Sequence, residues 1–199
     1  MSPEKKYYDI RSAFWRRCWK EAQSYDTYIE GSEPRLTANW KDFEKQVPPL
    51  NKEQRECLTG FERTLNVLVV SGLWCGDCVR QGPMIKHIGD SCDHNVAVKF
   101  IDRDQNSELR DEIRLLGAAR VPMVLFLSED FHEVGRFGDR MLTTYRQKSK
   151  TELGAACSVP AALLPLDELT AEYDEWVCIF ERMLLMARLA PPLRDRYGD

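Results

Sequence analysis

An α/β fold, with a mixed four-stranded sheet flanked by helices and extra helices at both ends, is what this sequence predicts. Three observations carry the prediction. Four short runs rich in β-branched and aromatic residues (66–71, 96–101, 121–127 and 131–137) read as strands. Amphipathic segments, with apolar residues at three- and four-residue steps, flank and separate them. The first run leads through a short turn into Cys75-Gly76-Asp77-Cys78 and then into a helical pattern of Val79, Met84, Ile85 and Ile88.

In chain order, Tyr7 to Ile29 predicts one amphipathic helix, its stripe formed by Tyr7, Ile10, Phe14, Cys18, Ala22, Tyr25 and Ile29. Gly31-Ser32-Glu33-Pro34 ends it, and a short helical turn follows at Asn39–Lys45. Asn51 is an N-cap with Gln54 as its capping-box partner, opening a helix from Lys52 to about Leu65. The strand 66–71, the dithiol helix and the strand 96–101 form a βαβ unit with a right-handed crossover. A short helix from Ser107 to Leu116 precedes the strand 121–127. Ser128-Glu129-Asp130 is too short for a crossover, so the strand 131–137 pairs antiparallel with its predecessor. A helix over 140–150, a loop containing Gly154-Ala155-Ala156-Cys157, and a long helix from Asp167 to Leu189 complete the chain, with Pro191-Pro192 as its stop. The expected organisation is an N-terminal helical extension (1–50), the dithiol domain (51–150), and a loop with a long helix (151–199) packed on that domain. The long helix is expected to pair with the N-terminal one.

Composition narrows the function. Of 199 residues, 43% are hydrophobic and 30% charged, ordinary for a soluble globular protein. A net charge of −4 and no basic stripe argue against a nucleic-acid partner. The longest apolar run, Val67–Val70, is far too short for a bilayer span, and no apolar h-region follows Met1–Lys6, so neither a membrane nor a leader peptide is expected. Seven cysteines at irregular spacing do not make a secreted disulfide framework. A reducing, cytoplasmic setting is expected, where Cys-x-x-Cys is more often catalytic or metal-binding than structural.

The chemistry concentrates at Cys75 and Cys78. Sulfurs three residues apart touch in the first turn of a helix, and the first sits where unpaired backbone N–H groups and the helix dipole favour a thiolate. Trp74 stands immediately before Cys75, Pro83 five residues after Cys78, and Asp104-Gln105-Asn106 after the second strand. Val121-Pro122 opens the third strand and Gly138 follows the fourth. With these landmarks, residues 60–150 resemble the thioredoxin superfamily, specifically a thioredoxin-type dithiol domain.

The resemblance implies a thioredoxin-like sheet and a thiol–disulfide oxidoreductase that reduces protein disulfides. Cys75 would be the nucleophile and Cys78 the resolving thiol. Trp74 would shield the sulfurs and Gly76 belongs to the motif. Pro122 would be cis and face Cys75, Val121 would pair with an extended substrate, and Gly138 would line the substrate groove. No organic cofactor is implied. The partners would be a disulfide-containing protein and an electron-donating reductase. The competing expectation is a binding or adaptor module with little redox turnover, which the extensions favour.

Two departures from the family stand out. Val69 and Phe100 occupy the positions of its usual buried Asp and Lys, leaving Cys78 without an identified proton acceptor. Asp77 puts a carboxylate inside the motif; it favours the helix start, helps move a proton, or raises the Cys75 pKa and makes the pair more reducing. Other candidates are weaker. Cys92 and His94 lie about 20 Å along the helix from Cys78 and cannot complete a zinc site with it, and Trp74 argues against a chain-bridging iron–sulfur cluster. Cys18 and Cys178 are expected as packing residues, His87 and His132 as ordinary helix and strand positions. Cys157, in an exposed loop, is a candidate to receive a disulfide from Cys75–Cys78, though an incidental cysteine is the simpler reading.

Overall fold

The computed structural model describes residues 7–157, 160 and 164–198. The sheet comprises β1 (Leu65–Ser71), β2 (Val96–Asp102), β3 (Met123–Leu127) and β4 (Glu133–Gly138), in spatial order β2-β1-β3-β4. Before it run α1 (Ser12–Glu21), α2 (Tyr25–Glu30), α3 (Pro34–Glu44) and α4 (Lys52–Leu58). Helix α5 (Gly76–Ser91) joins β1 to its parallel neighbour β2, and α6 (Ser107–Glu112) lies between β2 and β3. Strand β3 is antiparallel to both β1 and β4. The chain ends in α7 (Leu142–Lys148), α8 (Glu168–Leu189) and α9 (Pro191–Tyr197). The α/β class and mixed, helix-flanked sheet expected from the sequence are therefore present.

The two-residue period of the strands assigns the helices to faces. Val67 and Val69 share a side of the sheet with their register partners Val98 and Phe100 on β2, and Phe126 and Val124 on β3. Onto this side pack α2 and α3, whose Tyr25, Tyr28 and Trp40 surround Phe100, and α8, whose Phe180 meets Phe126 edge-on at 5.2 Å. Helix α5 joins them so closely that a Cβ at Gly89 would lie 2.3 Å from Val98 Cγ2. On β4, Gly135 faces Met183 of α8, whereas Arg136 points the other way, to Trp15 of α1 and Glu112 of α6.

Two expectations are corrected here. The predicted helix 7–29 is two helices, broken at Ala22–Ser24. Gln23 exchanges two backbone hydrogen bonds of 2.8 Å with Phe100, so the chain adds a bridge to the open edge of β2 and crosses from one face of the sheet to the other. A continuous helix cannot turn that edge; Ser24 starts α2 afresh by accepting a hydrogen bond from the Thr27 N–H. Because α1 and α8 lie on opposite faces, the expected pairing between them does not form. Instead α8 packs on α4, α5, α7 and β4. The expected helix ends before Pro34 and Pro191 are present, at Glu30 and Leu189, and each proline also begins a new helix at its first turn, where a missing N–H costs nothing.

Smaller boundary differences have local causes. The Asn51–Gln54 capping box is present, with both hydrogen bonds at 2.9 Å. Helix α4 nevertheless ends at Leu58, because Gly60 takes a left-handed φ of +79° and hands the chain to β1. Helix α7 continues into a wider turn at Ser149–Leu153, and a tighter helical turn follows at Gly154–Cys157, where the sequence reads as a loop. Met1–Lys6 and most of 158–163 lie outside the described residues. Among the described residues, no helix is long and apolar enough to cross a membrane.

Candidate active site

Strand β1 delivers the chain to Gly72, and a turn closed by Cys75 N–H to the Gly72 carbonyl (2.9 Å) leads to Cys75. Cys75 is the N-cap of α5, in extended backbone conformation, and Gly76 and Asp77 are that helix's first residues. Gly76 is exposed, with nothing near its missing Cβ. Cys75 is partly exposed, while Cys78, one turn in, is fully buried. The two sulfurs therefore have different access to a reactant although they are three residues apart.

Their acidities diverge as well. The Cys75 thiol is lowered to about 6, first by a hydrogen bond from the Cys78 side chain and then by the backbone N–H groups of Cys78 and Asp77; partial burial and the Asp77 charge oppose this. The Cys78 thiol is pushed strongly upward, first by burial and then by its bond to Cys75. At neutral pH Cys75 is the thiolate and Cys78 the thiol. Asp77 does not act alone: its carboxylate meets Arg140 at 2.6 Å. Arg140 also reaches Asp139, which is buried and bonded to Arg120 and Tyr145.

Opposite Cys75 lies the Val121–Pro122 bond, which is cis. The Val121 carbonyl stands 3.5 Å from Cys75 Sγ. Gly138 closes this side of the site: a Cβ there would lie 2.7 Å from the Pro122 carbonyl oxygen, so only glycine lets β4 approach so near. Trp74 is 57% exposed, and the Arg103 guanidinium lies 4.9 Å from its ring centroid. Cys75, Cys78, Trp74, Asp77, Val121, Pro122 and Gly138 thus converge from β1, α5, β3 and β4.

The sequence reading missed several participants. Arg140 and Arg103 are far from the motif in the chain; each adjoins a landmark (Gly138 and Asp104-Gln105-Asn106), but no local pattern shows that its side chain returns to the dithiol. Trp40 donates its indole N–H to the Leu73 carbonyl (3.1 Å) and packs so tightly on α5 that a Cβ at Gly82 would lie 2.3 Å from its ring. Beneath Cys78, the buried hydroxyls of Ser71 and Tyr28 have no partner within hydrogen-bonding distance. Ser71 is still near enough to both Cys78 and Tyr28 to favour their ionised forms. Period two had a signal here, since Ser71 lies on the same sheet face as Val69.

The remaining candidates stay apart from this site. Cys92 is buried and His94 exposed at the far end of α5, and no cluster of three or more His, Cys, Asp or Glu residues suited to a metal occurs among the described residues. His87 meets the Tyr173 hydroxyl at 2.6 Å. Cys157 is exposed, and Cys18 is buried in the core. Cys178, expected as a packing residue, is exposed, because α8 turns Val177 rather than Cys178 inward.

A family profile described as thioredoxin matches residues 22–144, more than half of the chain. The fold is shared by a protein of unknown function from Pseudomonas aeruginosa, with a TM-score of 0.67 and 17% identity over 86% of this chain and 97% of that one. An HIV epitope scaffold superposes with a TM-score of 0.62 and 18% identity, covering 88% of this chain and 98% of its own. At such identities the likeness concerns the fold alone. No curated protein matches the chain.

Proposed function

Because this chain belongs to the thioredoxin family, we propose that it is a thiol–disulfide oxidoreductase that reduces disulfides in proteins. The observation that carries this reading is the asymmetry of the pair: an accessible, acidic Cys75 at a helix N-terminus and a buried, weakly acidic Cys78 behind it. The Cys75 thiolate attacks one sulfur of the substrate disulfide and the other leaves as a thiolate. Cys78 then loses its proton and attacks the Cys75 sulfur, releasing the second substrate thiolate and leaving a Cys75–Cys78 disulfide. Two electrons pass to the substrate, and a partner dithiol reductase returns the pair to the reduced form. An extended substrate segment pairs with the backbone at Val121, between Trp74 and Gly138.

Reduction of insulin disulfides with dithiothreitol as electron source tests the reading. Turnover is expected in the wild type and loss of it in both Cys75→Ser and Cys78→Ser. Cys78→Ser, which keeps the nucleophile and lacks the resolving thiol, is expected to accumulate a mixed disulfide at Cys75. A wild-type rate no greater than that of the reductant alone would instead favour an adaptor.

With Val69 in place of a buried acid, the leaving proton of Cys78 needs another stabilising group. The buried Ser71 hydroxyl, unpartnered at rest, supplies it by turning its O–H toward the Cys78 thiolate as that charge forms. Ser71→Ala is expected to slow resolution of the mixed disulfide about tenfold, the worth of a hydrogen bond to a charged group, and to shift the pH profile of that step upward. Alkylation of Cys75 should change little, and Ser71→Thr should restore the profile. Rapid-mixing measurement across pH reads both effects; an unshifted profile rules Ser71 out.

A further inference from the structure

We propose that Cys57 of α4 and Cys178 of α8 form a second disulfide-forming pair, separate from Cys75 and Cys78. The register of the two helices brings them together. Gln54 of α4 donates its side-chain N–H to Asp174 Oδ1 of α8 at 2.7 Å. From that bonded pair, Cys57 lies three residues onward in α4 and Cys178 four residues onward in α8. Steps of three and four return to the same helix flank, and their rises of about 4.5 and 6 Å nearly match.

The helices run in the same direction. Arg55 influences Tyr173 near the start of α8, while Cys57 feels Glu181 and Cys178 further along it. Leu58 and Val177, the chain neighbours of the two cysteines, are buried. Cys57 and Cys178 are thereby left on the rim of the helix pair, the first partly exposed and the second exposed.

The surroundings keep both sulfurs protonated at rest. Burial and then the nearby Glu181 carboxylate raise Cys57, and the same two causes raise Cys178. Joining two thiols removes two electrons, so pairing needs an oxidant, and a low-molecular-weight disulfide serves. The thiolate of one cysteine attacks it, forming a mixed disulfide and expelling one small thiolate. The second cysteine, as thiolate, attacks the protein sulfur of that bond, closing Cys57–Cys178 and expelling the other. Two protein thiols are oxidised, one small disulfide becomes two thiols, and the two protons go to solvent or to the expelled thiolates. The product ties the helix before β1 to the helix that packs on α5, closing a loop of about 120 residues, a length at which a cross-link restricts the unfolded chain substantially.

The test uses full-length protein carrying Cys75→Ser and Cys78→Ser, so that its outcome does not depend on the activity of that pair. The protein is equilibrated with glutathione disulfide, the remaining thiols are blocked, and the chain is digested and mapped by mass spectrometry. The expected result is one linked peptide pair joining Cys57 to Cys178, two hydrogens lighter than the free peptides. A rise in Tm of about 5 °C or more should accompany it, reversed by dithiothreitol and absent when Cys57→Ser is added. Recovery of Cys57 and Cys178 only as separate glutathione adducts or as blocked free thiols overturns the proposal.

Discussion

At pH 6, Cys75 is expected to react with iodoacetamide about tenfold faster than an unperturbed exposed thiol. With its acidity at about 6, Cys75 is half thiolate there, against roughly one part in several hundred for an ordinary cysteine. The lower basicity of the thiolate gives back part of that advantage, about thirtyfold for a three-unit difference at a Brønsted slope near 0.5. The contrast therefore narrows toward pH 7 and above. The Cys75 rate should climb through pH 6 and level off beyond pH 7, while an unperturbed thiol keeps accelerating to pH 9. Peptide-resolved alkylation across pH 5–9 measures this, and a Cys75 midpoint at or above 8 contradicts it.

The same measurement resolves the role of Asp77. Its charge opposes the thiolate but acts more weakly than the hydrogen bonds that favour it, and Arg140 sits against it. Asp77→Asn should therefore lower the midpoint only slightly. Arg140→Gln leaves the carboxylate unpaired beside the sulfur and should raise the midpoint by about half a unit or more. For stability the sign follows from a folded acidity below the unfolded one. The Cys75 thiolate stabilises the reduced protein in full above about pH 9, and that contribution is lost as pH falls toward 6. The raised Cys78 thiol acts in the opposite sense above pH 9.

Trp40→Ala is expected to cost about 3–5 kcal/mol of stability, the range for removing a fully buried large aromatic. Trp40 fills the space between α3 and α5, contacts Tyr25, Tyr28 and Phe100, and holds the Leu73 carbonyl just before the dithiol. Removing it opens a cavity against Gly82 and frees the Trp74–Cys75 turn. Trp40→Phe, which keeps most of the ring but drops the N–H, should cost less and report mainly on the turn. Urea unfolding of both variants separates packing from anchoring. A loss below 1 kcal/mol for the alanine variant would show that α3 contributes little to the domain.

Much of the site was legible because its determinants are local. Strand, turn, dithiol and helix follow one another within 66–91, so period and N-terminal helix chemistry sufficed. The paired replacement at Val69 and Phe100 was also readable, and the two residues are direct register partners in β1 and β2. Its reason was not: Phe100 is surrounded by Tyr25, Tyr28 and Trp40, which come from a segment that reads as an appendage. The break at Ala22–Ser24 was missed because hydrophobic period registers a buried stripe on either side of the sheet alike. It carries no information about which face receives it.

The amino-acid sequence by itself determined the four strands, the sheet-and-helix class and the placing of Cys75 and Cys78 at a helix start, since these depend on residue period and on neighbours within a helical turn. Only the tertiary structure decided that α1 and α8 occupy opposite faces, that Arg140 answers Asp77, and that Tyr28 lies near Cys78. Those relations join residues tens of positions apart, and it is the closing of the sheet and the packing of its helices that makes them neighbours.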